Sequence, residues 1–488
     1  MPEENLKSKT IVSMLWTGTQ RFGVLILSFV TNLVLAWYLD PEDFGTVGMI
    51  SIFITLAENL TDSGLGAALI QKKDATDIDF STVFWANLFI SILIYVVLFF
   101  ASPLIARFYK IDVLTKVLRI KAILIILQAF RIIHTTILQK QLSFKKISII
   151  YLIAALVSTI TSIVLAILGW GLWSLVVKSI LDIFIRAVLF WIFCKWKPLF
   201  KFSFTSFKEL FSFGSVMLFT TMFTTIYEEG QGLIIGKAFS ATDLGYYTQG
   251  KKLQEVPTNA LNQVVNQVTF PVFTKLKDDI EKMKKGFQKI ILSISYIVFP
   301  MMIFFIISAT PIFHFLYKTK WDFSIPYFRF LCIVGMMVCI NTINTNLIKA
   351  SGLKGLYFKL EIIKRIVGFV FIIASIYFGL YGLLIANIII EYCFFIVNAI
   401  VTKRVINYSL WEQFKDLLPN YILSFVTGGI VFFIFSFLSL PNIIFIFLEF
   451  LIFSIIFISL SALFKFKSFE IYKEIIISKL NKKKNKNT

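Results

Sequence analysis

The chain has 488 residues, 58% of them hydrophobic and only 16% charged, and its mean hydropathy is +0.82. Soluble domains carry about 45–50% apolar residues, so this composition excludes a soluble globular protein. The formal charge of +20 falls on loops between apolar runs and on the terminal stretch KLNKKKNKNT, a placement expected beside anionic lipid that gives no reason to invoke nucleic acid.

Apolar runs of helix length follow one another along the whole chain, without the alternation of barrel strands. A span needs about 20 mostly apolar residues, and only helices or closed barrels satisfy their backbones in lipid. The pattern therefore predicts an all-α polytopic membrane protein of about 14 transmembrane helices. They are expected near 12–38, 44–70, 80–106, 117–138, 147–168, 171–194, 209–236, 243–273, 287–309, 324–348, 358–378, 381–402, 418–438 and 441–464. The first run exceeds the core of a secretory signal and lacks a small-residue cleavage site, so it reads as a retained helix. The four cysteines, Cys194, Cys332, Cys339 and Cys393, lie in or beside apolar runs without paired spacing and read as packing residues, not as disulfides or metal ligands.

With Met1 on the cytoplasmic side, the inner segments collect about 30 basic residues and the outer loops about five, the bias that orients membrane proteins. Both termini are therefore expected in the cytoplasm. Every outer loop is short, the longest running from about Ile312 to Phe323.

The interruption YLDPEDFGTVG (Tyr38 to Gly48) is echoed by FSATDLGYYTQG (Phe239 to Gly250), with Asp43 and Gly45 answered by Asp243 and Gly245. Two further echoes follow in order. ILGWGLWSLVVK and YFGLYGLLIAN each join two spans, and LQKQLSFKK is answered by IKASGLKGL. Six spans separate the first pair, so the flanking helices run the same way. A parallel repeat is predicted, with two six-helix lobes in pseudo-two-fold arrangement plus two C-terminal helices. The expected boundaries are 1–195 for the first lobe, 196–208 for a cytoplasmic linker, 209–402 for the second lobe, 403–464 for the added helices and 465–488 for a basic cytoplasmic tail.

The stretch LVLAWYLDPEDFGTVGMISIFITLAENLTDSGLGAALIQKKD, then FSTVFWANLFISILIY, resembles the N-terminal half of the Wzx-type polysaccharide flippases. FPVFTKLKDD resembles the matching segment of their second lobe. The superfamily also holds the multidrug extruders and the lipid II flippase. The resemblance implies a non-enzymatic transporter in the bacterial cytoplasmic (inner) membrane. Such a protein moves undecaprenyl-pyrophosphate-linked glycan units from the inner to the outer leaflet by alternating access, for surface polysaccharides such as O-antigen. It also implies service to polysaccharide polymerase and chain-length machinery. The family has no catalytic signature, so no ligand residue transfers by position, and neither a cofactor nor a bound metal is expected.

Charge inside a span is costly and marks a cavity or pathway by default. The candidate cations for a pyrophosphate are Arg21, Arg131, Lys178, Arg186, Lys251 and Lys252. Arg21 lies about nine residues into its span, roughly 13 Å deep at 1.5 Å per residue. Arg131 and His134 sit near enough to a helix end to snorkel instead. Lys178, Asp182 and Arg186, one turn apart, equally form a self-neutralising ladder. The candidate acids, open to a proton or Na+ or to structural pairing, are Glu58, Asp62, Asp182, Glu228, Glu229, Glu255 and Glu391. Asn259, Asn262, Asn266, Asn341 and Asn344 supply amides able to bind sugar hydroxyls or to join helices. Pro257 is expected to bend its span.

A cation-coupled multidrug antiporter of the same superfamily remains an alternative. A membrane-embedded glycan polymerase or ligase is a weaker one, since short outer loops leave little room for catalytic residues. The chain is expected to act as a monomer. The orientation has a direct check: cysteines introduced at Glu42, Asp243 and Asn442 react with an impermeant thiol reagent added outside, whereas those at Asp77 and Lys284 do not. Outside labelling at Asp77 would reverse the topology.

Overall fold

The computed structural model of the chain describes residues 3–62, 64–438 and 440–484. Among them there is no strand. The helices are α1 (Glu3–Tyr38), α2 (Pro41–Met49), α3 (Ser51–Asp62), α4 (Leu65–Gln71), α5 (Asp77–Tyr109), α6 (Val113–Lys121), α7 (Ile123–Lys140), α8 (Phe144–Ile167), α9 (Leu172–Phe193) and α10 (Phe204–Ala238). They continue with α11 (Ala241–Leu276), α12 (Ile280–Ile307), α13 (Ala309–Tyr317), α14 (Ser324–Ala350), α15 (Lys354–Ser375), α16 (Gly379–Ile406), α17 (Leu410–Phe435), α18 (Asn442–Leu463) and α19 (Lys467–Lys484).

Nine helical stretches among the described residues are long and apolar enough to cross a membrane, and the protein is a multi-pass membrane protein. They cover the expected spans except those near 117–138, 171–194, 209–236 and 243–273. Those four fall on α6–α7, α9, α10 and α11, which hold many of the charged and amide side chains singled out above.

Four expectations are corrected. The span near 44–70 is three helices, broken at Ile50 and again before Gly64, whose φ of 66° is left-handed. The span near 117–138 is broken at Ala122, between α6 and α7. The outer loop from Ile312 to Phe323 is instead α13 followed by a 3-10 turn over Thr319–Trp321, because Phe313, Tyr317 and Trp321 are buried and pin the segment down. Much of the expected tail is α19, while residues 485–488 lie outside the described residues. The helix α11 runs unbroken through Pro257.

Two compact units divide the chain, Met1–Thr248 and Gln249–Thr488. The division falls beyond the expected 196–208 linker because α10 packs on α2, α3, α4 and α5. The linker itself is strapped to the start of α5. The Leu199 and Ser203 amides donate to Ser81 and Thr82, the Trp85 indole donates to the Leu199 carbonyl, and Ser206 donates to Asp79. Lys72 lies between Glu209 at 2.9 Å and Asp79 at 3.3 Å, and its hydrogen bond to Glu209 raises its pKa. In the second unit α12 packs against α14 and α17, α14 against α16, and α17 against α18.

The doubled turn has a structural reason. In both copies the aspartate stands at the third position of a helix and closes its start. Asp43 accepts from the Asp40 amide at 3.1 Å, and Asp243 accepts from the Ser240 hydroxyl at 2.6 Å. The two glycines then face each other's backbone. A Cβ on Gly45 would lie 1.6 Å from the Ala241 carbonyl oxygen, and one on Gly245 would lie 1.9 Å from that of Pro41. Only glycine permits this approach. Gly45→Ala and Gly245→Ala are each expected to destabilise the protein by at least the ~1–3 kcal/mol of an overpacked core. Gly429→Ala, where a Cβ meets nothing within 4 Å, is the control. Thermal unfolding in detergent checks this, and equal melting of the three variants would refute the close approach.

Candidate functional site

In the first unit α3, α6, α7 and α9 line an open cavity of about 350 Å³. Glu58, Lys121, Arg131, Asp182 and Arg186 line it, together with Gln128. Arg131 is nine residues from the end of α7 and Asp182 ten from the start of α9. At 1.5 Å per residue both therefore lie about 14–15 Å along their helices from those ends.

Each side chain is held by something specific. Arg186 pairs with Asp182 at 2.6 Å, one turn away on α9, and its guanidinium lies 4.2 Å from the centre of the Tyr151 ring. The same tyrosine's hydroxyl accepts from Arg131 at 3.3 Å, and Gln128 accepts from Arg131 at 3.0 Å. One aromatic residue on α8 thus fixes both guanidinium groups. Lys121 is 8% exposed and ends α6, where the helix dipole favours a cation. Glu58 stands in the field of Lys121, Arg131 and Arg186, and Glu229 on α10 acts on Lys121.

The expected residues divide accordingly. Glu58, Arg131, Asp182 and Arg186 are brought together. Lys178 is one turn from Asp182 and acts on it, and Asp62, one turn past Glu58, is exposed in the field of Arg131. Arg21 is exposed on α1 and does not line the cavity, Glu228 is exposed and Glu229 half-buried. His134 is fully buried, 4.6 Å from the Trp191 ring, with Nδ1 on the Phe130 carbonyl. Lys121 is the residue that sequence reading passed over. It was not among the charged residues singled out in the sequence, and the helix break beside it at Ala122 leaves no mark in the apolar pattern.

The second unit holds a different constellation. Lys251 meets Glu255 at 3.7 Å, Lys252 and Asn259 are exposed, and Asn262 is half-buried. A buried chain of polar groups links α15, α16 and α14. Glu361 pairs with Lys364 at 2.5 Å, Lys364 donates to Asn398, Asn398 donates to Asn341, and Asn341 donates to Glu391. Asn344 accepts from Thr402 and donates to Gln413, while Asn346 donates to Asn266. Here the amides join helices. Glu361, Lys364 and the buried Glu449, which accepts from Ser308 at 2.6 Å, were not singled out in the sequence. The i, i+3 spacing of the first two was the available signal.

A family model described as Polysaccharide biosynthesis protein matches residues 34–326. The chain is 26% identical over 420 residues to the teichuronic acid biosynthesis protein TuaB of Bacillus subtilis (strain 168), covering 86% of this chain and 87% of the relative. It is 26% identical over 447 residues to the lipopolysaccharide biosynthesis protein WzxC of Escherichia coli (strain K12), covering 87% and 88%. Among solved structures it is similar to the lipid II flippase MurJ in an inward closed conformation, with a TM-score of 0.77 at 16% identity over 95% of this chain and 100% of the other. At that identity the likeness is one of fold.

The ion pair in the cavity carries a stability prediction. Asp182→Asn leaves Arg186 facing a low dielectric without its partner, at a cost of up to about 3 kcal/mol. The double variant Asp182→Asn, Arg186→Gln removes both charges and is expected to melt above the single one. The reverse order, by thermal unfolding at matched detergent, would show that water already screens the pair.

Proposed function

Because this chain belongs to the polysaccharide biosynthesis protein family, we propose that it is a flippase for undecaprenyl-pyrophosphate-linked oligosaccharide units. It acts in the bacterial cytoplasmic membrane, with both termini in the cytoplasm, and moves its substrate from the inner to the outer leaflet by alternating access. The protein is a transporter and not an enzyme. In this reading α6–α7, α9, α10 and α11 complete fourteen crossings, and the two halves of the parallel repeat form the moving lobes.

One observation carries the reading: a member of this family gathers Glu58, Lys121, Arg131, Asp182 and Arg186 around one pocket, on helices that this reading takes as crossings. A lipid diphosphate needs cations where water is scarce, because Coulomb attraction grows as the dielectric falls. The cavity offers three cations to two acids. Arg21, Lys251 and Lys252 add charge on other helices, and the exposed amides Asn259 and Asn266 suit sugar hydroxyls. The acids Glu58, Asp62, Glu228, Glu229, Glu255 and Glu391 are the places for a coupling proton or Na+. The protein works as a monomer that hands its glycan to polymerase and chain-length machinery.

The test is transport in reconstituted vesicles. The wild-type protein is expected to move a lipid-diphosphate glycan across the bilayer. Arg21→Lys retains part of that rate, since it keeps the charge but loses the planar fork, and Arg21→Ala loses most of it at unchanged protein level. A multidrug antiporter behaves oppositely: cationic drugs are transported, removal of Arg21 is neutral or helpful, and loss of Glu58 or Asp62 is damaging. Drug transport without glycan transport would replace the flippase reading.

A further inference from the structure

We infer that Glu449 is a proton-binding site open to the outer side through a cavity that α12, α13, α14, α17 and α18 line, and that outer acidity loosens the hold of α18 on the α12–α13 joint by neutralising it. Its placement on the outer side rests on the orientation proposed with the flippase reading, whereas its chemistry does not.

The first ground is a buried carboxyl without a counter-charge. Glu449 is 1% exposed and lies about 10 Å along α18 from Asn442 at 1.5 Å per residue. Its one hydrogen-bond partner among the described residues is the Ser308 hydroxyl, which donates to it at 2.6 Å. The charged groups of the neighbouring elements are engaged elsewhere. Arg329 of α14 donates to the Ile306 carbonyl at 3.2 Å and to Thr310 at 3.1 Å, and His314 of α13 pairs with Asp322 at 2.9 Å. Ile307 of α12 and Phe432 and Phe435 of α17 bring no charge to the cavity, and α19 lines none of it. A charge taken out of water without a partner is costly, and such a group commonly neutralises instead. An ionisable residue inside a span is for that reason a functional candidate.

The second ground is a polar route to the carboxyl. The cavity, of about 300 Å³, runs from Glu449 to Asn442 at the turn between α17 and α18. With fourteen crossings and both termini in the cytoplasm, that turn is on the outer side. Water in such a space needs about two to four polar partners, and Arg329, His314, Ser436 and Asn442 supply them. A proton from the outer water adds to the carboxylate and returns to the same water on release.

The third ground is the choice of ion. A hard metal cation gathers several oxygen ligands. Here the Ile306 carbonyl and the Thr310 hydroxyl are spent on Arg329, whose guanidinium repels a metal ion from the same cavity. A proton asks only for the carboxylate. Its arrival has a mechanical consequence, because Ser308 is the residue between α12 and α13 and its bond to Glu449 ties α18 to that joint. Charge-assisted hydrogen bonds are about twice as strong as neutral ones, so neutralising the carboxyl weakens the tie.

Full-length protein is reconstituted in vesicles in one orientation and treated with dicyclohexylcarbodiimide, which adds to protonated carboxyls in apolar surroundings. Modification of Glu449, read by mass spectrometry, is expected to rise as the outer pH falls at fixed inner pH, and to be indifferent to sodium. Modification that ignores the outer pH, that follows the inner pH, or that sodium blocks overturns the site. Hydrogen–deuterium exchange, corrected for the intrinsic rate, reads the joint. In the wild-type chain exchange over 308–317 and 442–449 is expected to increase on outer acidification. Glu449→Gln, neutral at every pH, exchanges at the raised level throughout, and His314→Gln keeps the wild-type response. Persistence of the response in Glu449→Gln, or its loss in a folded His314→Gln, assigns it to another group and overturns the inference. Where Glu449→Gln does not fold, the carbodiimide profile of the wild-type chain decides. The two readings fail separately. Glycan transport by a chain whose Glu449 does not titrate sinks this site alone, whereas a titrating Glu449 without glycan transport sinks the flippase alone.

Discussion

A charge in the hydrocarbon core of a bilayer must meet an opposite charge, a hydrogen-bond partner or water, and the rest of this structure follows from where those charges are put. The chain confines many of them to α6–α7, α9, α10 and α11, leaving most of the remaining helices apolar enough to cross on composition alone. In the first unit five charged side chains converge on a cavity; in the second Glu361, Lys364 and Glu391 are tied into a network of amides. An apolar helix finds its place by packing. A charged one is placed by its partners, which is why Tyr151, a single aromatic side chain, matters to two arginines on two other helices.

Backbone geometry sets the second constraint. The two echoing turns bring helix starts together at distances that exclude a Cβ on either side, and each turn's aspartate closes its own helix so that the backbones stay aligned for the approach. A repeat in the sequence therefore need not mean two copies of one function. Here it means two halves of one contact, each requiring aspartate for the cap and glycine for the clearance.

Length and hydropathy made the helical class and ten of the fourteen span positions legible, because the bilayer imposes one length requirement on every crossing. Helix breaks were not legible. Nothing in the apolar run from Phe44 to Ile70 announces that Ile50 ends a helix, and nothing around Ala122 marks the break between α6 and α7. The outer segment from Ala309 to Trp321 was mistaken for a loop because it is too short to span. Its order comes from Phe313, Tyr317 and Trp321 packing into a neighbouring core, a tertiary effect. For the site, mid-span charge flagged Glu58, Arg131, Asp182 and Arg186, which line one pocket, and equally Asn341, Asn344 and Glu391, whose partners lie on other helices. One rule raises both kinds, since a polar group in a span is explained equally by a ligand or by a neighbouring helix.

The difference between the two outcomes is one of satisfaction. In the second unit the line from Glu361 through Lys364, Asn398 and Asn341 to Glu391 gives every link a partner, and a network so closed rigidifies the helices that share it. In the first unit Lys121, Arg131 and Arg186 face Glu58 and Asp182, with Asp62 one turn beyond, and the Nε–H groups of Arg131 and Arg186 are buried without an acceptor. A closed network resists rearrangement, whereas an open one changes energy when an anion arrives. The same few residue types serve both arrangements, and the difference lies in whether the last hydrogen bond is made.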